Sequence, residues 1–344
     1  MTVLLVVAAV GFAFSIGAHY TGACMGMPHA LGAISARGAL LLMAPLALVG
    51  ATFASHGVEH TVAHQLLTGR SLSVAGFVVV VGIAFALTSA FNALKIPTST
   101  IQILVFTVVG TGLAAGVSVH WSTIGTLAVI WVAAPPVAAV LGYLFTKLLD
   151  RLPSMSREEP REPQRHGGQV ARPGALGRLL DESGGWLGVS LVAVGGLASF
   201  TMGSNDVANA TGSLVATRTY SPLVAGLVGG VAIAVGVLTW GRPLLQRVAF
   251  DIVTVDRSMA TAAQLVQAAV VLSAVGFGFF TSMNQALVGA MGGSGLARGR
   301  STVHAATLLG IVRAWVVGAG AGIALGYGIT RLVVAGVGNH TLVG

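Results

Sequence analysis

Apolar residues gather into ten long runs along this chain. They lie near 2–18, 38–55, 72–92, 99–116 and 122–148, then near 186–203, 222–241, 263–280, 284–297 and 305–330. Most approach or exceed the roughly 20 residues that an α-helix needs to cross the hydrocarbon core of a bilayer. Between the two sets lies a polar stretch, 149–185, in which Pro, Gly, Arg and Glu dominate. It cannot bury enough apolar surface to fold by itself and reads as a solvated linker, with a short interfacial helix near Arg178 to Glu182. The pattern predicts an all-α, polytopic membrane protein of about ten transmembrane segments. Transmembrane repeat one spans 1–148, a cytoplasmic linker 149–185, and transmembrane repeat two 186–344, with re-entrant half-helices where Pro, Ser and Thr break a run.

Composition sharpens this picture. Of 344 residues, 55% are hydrophobic and only 8% charged, against about 25% charged in soluble domains. So little charge cannot cover a water-facing surface. The 48 glycines suit close helix packing. No Lys or Arg precedes Arg37, so the first run lacks the charged start of a signal peptide and reads as a retained helix. The single cysteine, Cys24, excludes an intramolecular disulfide.

The net charge of +8 is a matter of topology rather than of nucleic-acid binding. Placing the linker inside puts Lys147, Arg151, Arg157, Arg161, Arg165, Arg172 and Arg178 in the cytoplasm, joined by Arg37, Lys95, Arg242, Arg247, Arg257, Arg298 and Arg300. Only Arg70, Arg218 and Arg331 then fall outside. The expected setting is a cytoplasmic membrane with both termini outside, the lipid bilayer being the expected partner and a homodimer an arrangement left open.

The two halves repeat. At a shift of 186, Phe14 and Gly17 meet Phe200 and Gly203, Ser35 meets Ser221, and Gly50 meets Gly236. At 183, Ser99, Gln102, Gly110 and Gly112 meet Ser282, Gln285, Gly293 and Gly295. At 184, His120, Trp131 and Tyr143 meet His304, Trp315 and Tyr327. An odd number of crossings per repeat forces the second copy to be inverted, a design that recurs in transporters with a midplane substrate site.

Two constellations carry candidate chemistry. Gly203-Ser204-Asn205-Asp206-Val207-Ala208-Asn209-Ala210 places one carboxylate, Asp206, at expected membrane depth beside Asn205 and Asn209. A charge there is expensive and its role is functional by default, and carboxylate plus amide oxygens suits a proton or a hard cation such as Na⁺. Pro97-Thr98-Ser99-Thr100-Ile101-Gln102 and its counterpart Phe280-Thr281-Ser282-Met283-Asn284-Gln285 each open an apolar run. Helix starts leave backbone N–H groups free and favour anions, although simple N-capping explains the same residues. His56, Glu59, His60 and His64 fall at helical spacing on one side of a segment expected outside, where a divalent metal site competes with plain solvation. Arg313 lies within an apolar run, either near the anion or snorkelling.

These residues resemble a known family. Residues 203–210 look like the Gly-Ala-Asn-Asp-Val-Ala-Asn-Ala signature of the inorganic phosphate transporter family, and 97–102 resemble its Pro-x-Ser-Thr-Thr-His segment. The resemblance implies external termini, an inverted repeat and symport of an oxyanion with Na⁺ or H⁺. Repeat one departs from the signature: His19-Tyr20 stand for Asn-Asp, and Ala23 for the second Asn. Both family histidines are Gln102 and Gln285. The segment from Ile16 to Gly32 looks more like the family's bacterial sulfate permease branch. The substitution of Tyr20 has a physical reading. Protonated phosphate offers O–H groups to a carboxylate acceptor, whereas sulfate has none and is better met by a donor.

The expectation is therefore a secondary active symporter importing an inorganic oxyanion, sulfate ahead of phosphate, without a cofactor. Ser99, Thr100, Gln102, Ser282, Asn284, Gln285 and Thr21 would bind the anion. Asp206, Asn205, Asn209, His19 and Tyr20 would handle the coupling ion, H⁺ or Na⁺. An anion channel and a membrane-embedded enzyme rank lower: no His-Glu-x-x-His motif is present, and one membrane carboxylate cannot form an acid dyad.

Overall fold

The computed structural model describes residues 1–152, 185–245, 255–299, 304–338 and 341–344. The expected helix at Arg178 to Glu182 lies outside them. The first half holds α1 (Thr2–His19), a π-helical turn (Gly22–Gly26), α2 (Met27–Ala30), α3 (Ala36–Phe53), α4 (His56–His64), α5 (Val74–Leu94), α6 (Thr100–Ala114) and α7 (Trp121–Leu149). The second holds α8 (Gly185–Ala216), α9 (Pro222–Trp240), α10 (Arg242–Leu245), α11 (Arg257–Gly276), α12 (Met283–Arg298) and α13 (Ala305–Val337). Two short strands, β1 (Leu67–Thr68) and β2 (Ser118–Val119), pair antiparallel.

Among the described residues, eight helices are long and apolar enough to cross a membrane, making this a multi-pass membrane protein. Two of the ten expected segments are not of that kind. The runs at 99–116 and 284–297 became α6 and α12, of 15 and 16 residues, or about 22–24 Å at 1.5 Å per residue, short of a hydrocarbon core of about 30 Å. The run at 186–203 is corrected the other way. α8 continues for 32 residues, so Asp206 sits inside an unbroken helix rather than at a helix end.

Local chemistry sets where the helices begin. Ser35, Ser73, Ser99, Ser221, Asp256 and Ser282 each cap a helix, their side-chain oxygens accepting the N–H of Gly38, Gly76, Gln102, Val224, Met259 and Gln285. An N-cap of this type satisfies one of the four N–H groups that a helix start leaves free. α5 ends at Lys95, which adopts the left-handed conformation.

The packing interlocks the halves. α6 lies along α13, and α12 along α7; α3 packs on α8, and α9 on α1. Glycines mark the closest approaches. A Cβ on Gly17 would overlap the Ile233 carbonyl, and one on Gly203 that of Ala47. Gly50 likewise abuts Phe200 and Gly236 abuts Phe14, while Gly110 meets Ile323 and Gly293 meets Ala139. Without a Cβ at these points the helix backbones reach one another, where dispersion and weak polar contacts accumulate.

The chain beyond α13 returns to the first half. Leu72 bridges Val343, Ser73 N–H donates to Leu342 O at 2.9 Å, and the Ser73 hydroxyl donates to Thr341 O at 2.6 Å. At the opposite hairpin base, Arg298 pairs with Asp150 and Asp256 and donates to the Ser258 hydroxyl at 2.8 Å.

Candidate functional site

α8 carries the signature into the bundle with every side chain of Ser204, Asn205, Asp206 and Asn209 buried. Asp206 is met by donors from three residues. Asn205 Nδ2 lies 3.0 Å from Oδ2, and Asn209 Nδ2 and Thr100 Oγ1 lie 3.3 and 3.4 Å from Oδ1. The Tyr20 hydroxyl is 2.9 Å from Thr100 Oγ1. With the Thr100 hydrogen given to Asp206, the Tyr20 hydroxyl donates to Thr100, so a chain of two hydroxyls ends on the carboxylate. Tyr20 and Asp206 occupy matching positions of the two halves, and they meet at Thr100, the first residue of α6.

The two amides differ in what they can offer a cation. Asn205 Nδ2 also donates to Thr281 O at 2.9 Å, while its Oδ1 accepts the Thr281 N–H at 3.2 Å. Both ends of that amide are therefore committed, and its oxygen faces backbone rather than a cation. Asn209 turns its nitrogen to Asp206 and keeps Oδ1 buried without a partner. Of the two expected amide ligands, only Asn209 has a free oxygen to offer.

His19 does in the first half what Asn205 does in the second. Its Nε2 lies 3.1 Å from Thr98 O and 3.4 Å from Thr98 N, and Thr98 matches Thr281 at the shift of 183. Each signature thus grips the backbone of the turn before a short helix. Asn92, absent from the sequence-based expectation, fixes the His19 tautomer. Asn92 Nδ2 donates to Ser15 O at 2.9 Å, which leaves Oδ1 to accept from His19 Nδ1–H. Asn284 closes the gap between the two turns, its Nδ2 donating to Thr98 O at 2.7 Å and lying 3.2 Å from His19 Nε2.

The starts of α6 and α12 are therefore joined through Asn284, but not all the expected anion ligands turn inward. The hydroxyls of Ser99 and Ser282 serve as caps. Gln285 is buried with Oε1 unpartnered, whereas Gln102 is partly exposed. The Thr21 hydroxyl lies 2.9 Å from both Ala18 O and Gly241 O. Gln264, also unanticipated, crosses from α11 to the π-helical turn, where its Nε2 donates to Cys24 O at 2.6 Å. No sequence signal short of the three-dimensional pairing distinguishes Asn92 or Gln264 from other polar residues in apolar helices. Cys24 is a buried packing residue. Arg313 lies exposed on α13 beside Phe91 and Ile96, not at the site.

The residues weighed for a metal site lie apart around α4. His56, His60 and His64 are exposed, while Glu59 is fully buried. At about 100° per residue, Glu59 lies about 140° around the helix from His64, so the four cannot converge. Among the described residues, no group of three or more His, Cys, Asp or Glu side chains is placed to hold a metal ion.

With a buried signature carboxylate reaching the start of a short helix, comparison with known proteins becomes decisive. The profile of the Phosphate transporter family matches residues 16–326. The chain belongs to that family. Within the Phosphate transporter family it is 25% identical over 308 residues to the "Sulfate permease CysP" of Bacillus subtilis, covering 89% of this chain and 80% of that one. It is also 25% identical over 396 residues to the "Inorganic phosphate transporter 2-1, chloroplastic" of Arabidopsis thaliana, covering 89% and 67% respectively. A solved structure, "The sodium-dependent phosphate transporter", superposes with a TM-score of 0.83 over 98% of this chain and 99% of that chain, at 22% identity, which establishes the shared fold. The family is one of transporters, and the chain is a transporter rather than an enzyme.

Proposed function

We propose that this protein is a secondary active symporter that imports an inorganic oxyanion, sulfate ahead of phosphate, with H⁺ or Na⁺ as the coupling ion. The observation that carries the reading is the Tyr20–Thr100–Asp206 chain of hydrogen bonds. One of two matching positions keeps its carboxylate and the other presents a hydroxyl. A fully ionised tetrahedral anion lowers its energy near hydroxyl and N–H donors, and is repelled by a second carboxylate. The sulfate permease among the relatives supports the same choice. The coupling ion belongs at Asp206, where the unpartnered Asn209 Oδ1 supplies a further oxygen. The anion belongs between the starts of α6 and α12, where helix dipoles favour negative charge.

In this reading residues 1–148 and 186–344 are inverted repeats joined by a cytoplasmic linker, 149–185, with both termini outside a bacterial inner membrane. The exchanged packing supports it, because each contact has a counterpart in the other half: α6 on α13 with α12 on α7, and α3 on α8 with α9 on α1. So do the matched glycine contacts, Gly17 with Gly203 and Gly50 with Gly236. Alternating access then follows from rocking one unit against the other.

A second reading, phosphate symport, is favoured by the phosphate transporter among the relatives and by the solved sodium-dependent phosphate transporter that shares the fold. Uptake of radiolabelled sulfate and phosphate into proteoliposomes, under an imposed pH gradient and separately a sodium gradient, separates the two. Concentrative sulfate uptake that excess phosphate does not inhibit is the expected result. Phosphate uptake without sulfate uptake would overturn the substrate assignment, and equilibration without accumulation would make the protein a channel.

A further inference from the structure

Among the described residues, Glu59 is the one fully buried carboxylate that the site around Asp206 does not use. It lies on α4, a nine-residue helix that packs on α8 after α3 ends. Its Oε1 is 2.9 Å from Thr211 Oγ1, and its Oε2 is buried without a hydrogen-bond partner. Thr211 follows Asp206 by five residues on the same helix, a rise of about 7.5 Å.

Counting hydrogens bears on the protonation state. Thr211 has one hydroxyl hydrogen, placed for either Glu59 Oε1 at 2.9 Å or Val207 O at 3.0 Å. The neighbouring Ser55 hydroxyl gives its hydrogen to Ala51 O at 2.6 Å. A carboxylate would take the Thr211 hydrogen at Oε1 and leave Oε2 buried, charged and unpaired. A carboxylic acid removes that charge, and it can donate its O–H to Thr211 while the Thr211 hydrogen turns to Val207 O.

Nothing charged offsets an ionised Glu59 among the described residues. α8 carries only Asp206 along its length, α9 carries no charged residue, and the one charge of α11, Arg257, stands at its far, N-terminal end. On α4 itself His56, His60 and His64 are exposed, about 60°, 100° and 140° around the helix from Glu59, and Arg218 faces His64. Burial pushes the Glu59 carboxyl up to about 7, against the opposing hydrogen bonds to Thr211 and Ser55. The group is thereby set to exchange its proton close to neutral pH.

We propose that Glu59 is a proton-binding site one and a half helical turns from Asp206, holding its proton while α4 is seated on α8 and releasing it to water when that contact opens. The proton leaves Glu59 Oε1 and passes to solvent, so the group changes from acid to carboxylate with no other reactant. The protonation stands by itself; its use as a second coupling step rests on the symport reading.

The test is infrared difference spectroscopy of the full-length protein in lipid, titrated through neutral pH. Wild type is expected to show a carboxylic-acid C=O band that is lost as pH rises past about 7. Glu59→Gln should remove that band, and Asp206→Asn should keep it. Thr211→Val, which takes away the acceptor of the acid's hydrogen while leaving a carboxyl in place, should shift the band and its midpoint. A carboxylic-acid band in Glu59→Gln no weaker than in wild type, or one indifferent to Thr211→Val, overturns the proposal. In proteoliposomes Glu59→Gln should reduce pH-gradient-driven accumulation at least about tenfold, and accumulation equal to wild type refutes the coupling role. Wild type that accumulates neither sulfate nor phosphate under any cation gradient defeats the symport reading, while the infrared titration still decides Glu59.

Discussion

Asp206 and Glu59 are both fully buried carboxylates on or against α8, and they differ in the donors around them. Asp206 is approached by hydrogens from three residues: two amide nitrogens and a hydroxyl point at its oxygens. Glu59 has the Thr211 hydroxyl at Oε1, whose hydrogen Val207 O also attracts, and its Oε2 has no partner. An ionised carboxylate is thus better supplied with donors at Asp206 than at Glu59. Counting carboxylates along the sequence does not reveal this; counting the hydrogens around them does.

The contrast can be broken most severely at Asp206. Asp206→Asn puts an amide nitrogen where three donors already point, and coupled uptake should fall by at least about 100-fold, or more than about 2.7 kcal/mol in transport efficiency. Near-normal uptake by a protein that still elutes as a folded species would remove Asp206 from the mechanism. Thr100→Val takes one donor from the carboxylate and strands the Tyr20 hydroxyl. Uptake should drop about tenfold, in line with the roughly 1.5–3 kcal/mol of a hydrogen bond to a charged group. An unchanged rate would mean that the hydroxyl chain is structural only.

At Glu59 the contrast is sharpened by pH. With its pKa raised to about 7, the folded state keeps a proton that the unfolded state loses at ordinary carboxylate pH. Stability contributed by the buried acid is complete at low pH and declines as pH rises to about 7, by up to about 3 kcal/mol, then levels off. Glu59→Gln should flatten that slope in melting temperature measured in detergent, matching wild type near pH 5 and exceeding it near pH 8. An identical slope in both proteins would show that Glu59 does not titrate on unfolding. The smallest effect is expected from Thr211→Val, about 1 kcal/mol of stability at acid pH and little change in uptake rate, read by the same melts.

Much of this was legible in the residues. Paired identities at near-constant shifts located the α6 and α12 starts, and Ser99, Ser282, Ser35 and Ser221 all became helix caps. Gly17, Gly203, Gly50, Gly236, Gly110 and Gly293, all matched by the repeat, lie at close helix contacts. What was hidden depended on direction rather than identity. The apolar run ends near 203, but in α8 Gly203 continues the helix and admits the Ala47 carbonyl, so the segment runs on through Asp206. Asn205 advertises an oxygen, but the Thr281 backbone fixes its amide the other way round. Glu59 shares a run with three histidines, and a nine-residue helix gives too few turns for a pattern to say which face is buried.

The exchange of partners between halves also has a biosynthetic consequence. α6 finds its most extensive neighbour in α13, and the base of α5 is stitched to residues 341–343, with Ser73 and Thr341 separated by 268 positions. During synthesis the first half enters the bilayer with these surfaces unmatched. Its short helix and its hairpin base must wait in lipid, or in the care of the insertion machinery, until nearly the whole chain has left the ribosome. Contacts this distant in sequence slow assembly. A nascent chain arrested before residue 305 should therefore remain sensitive to protease at the α5–α6 turn, and become resistant only once α13 is made.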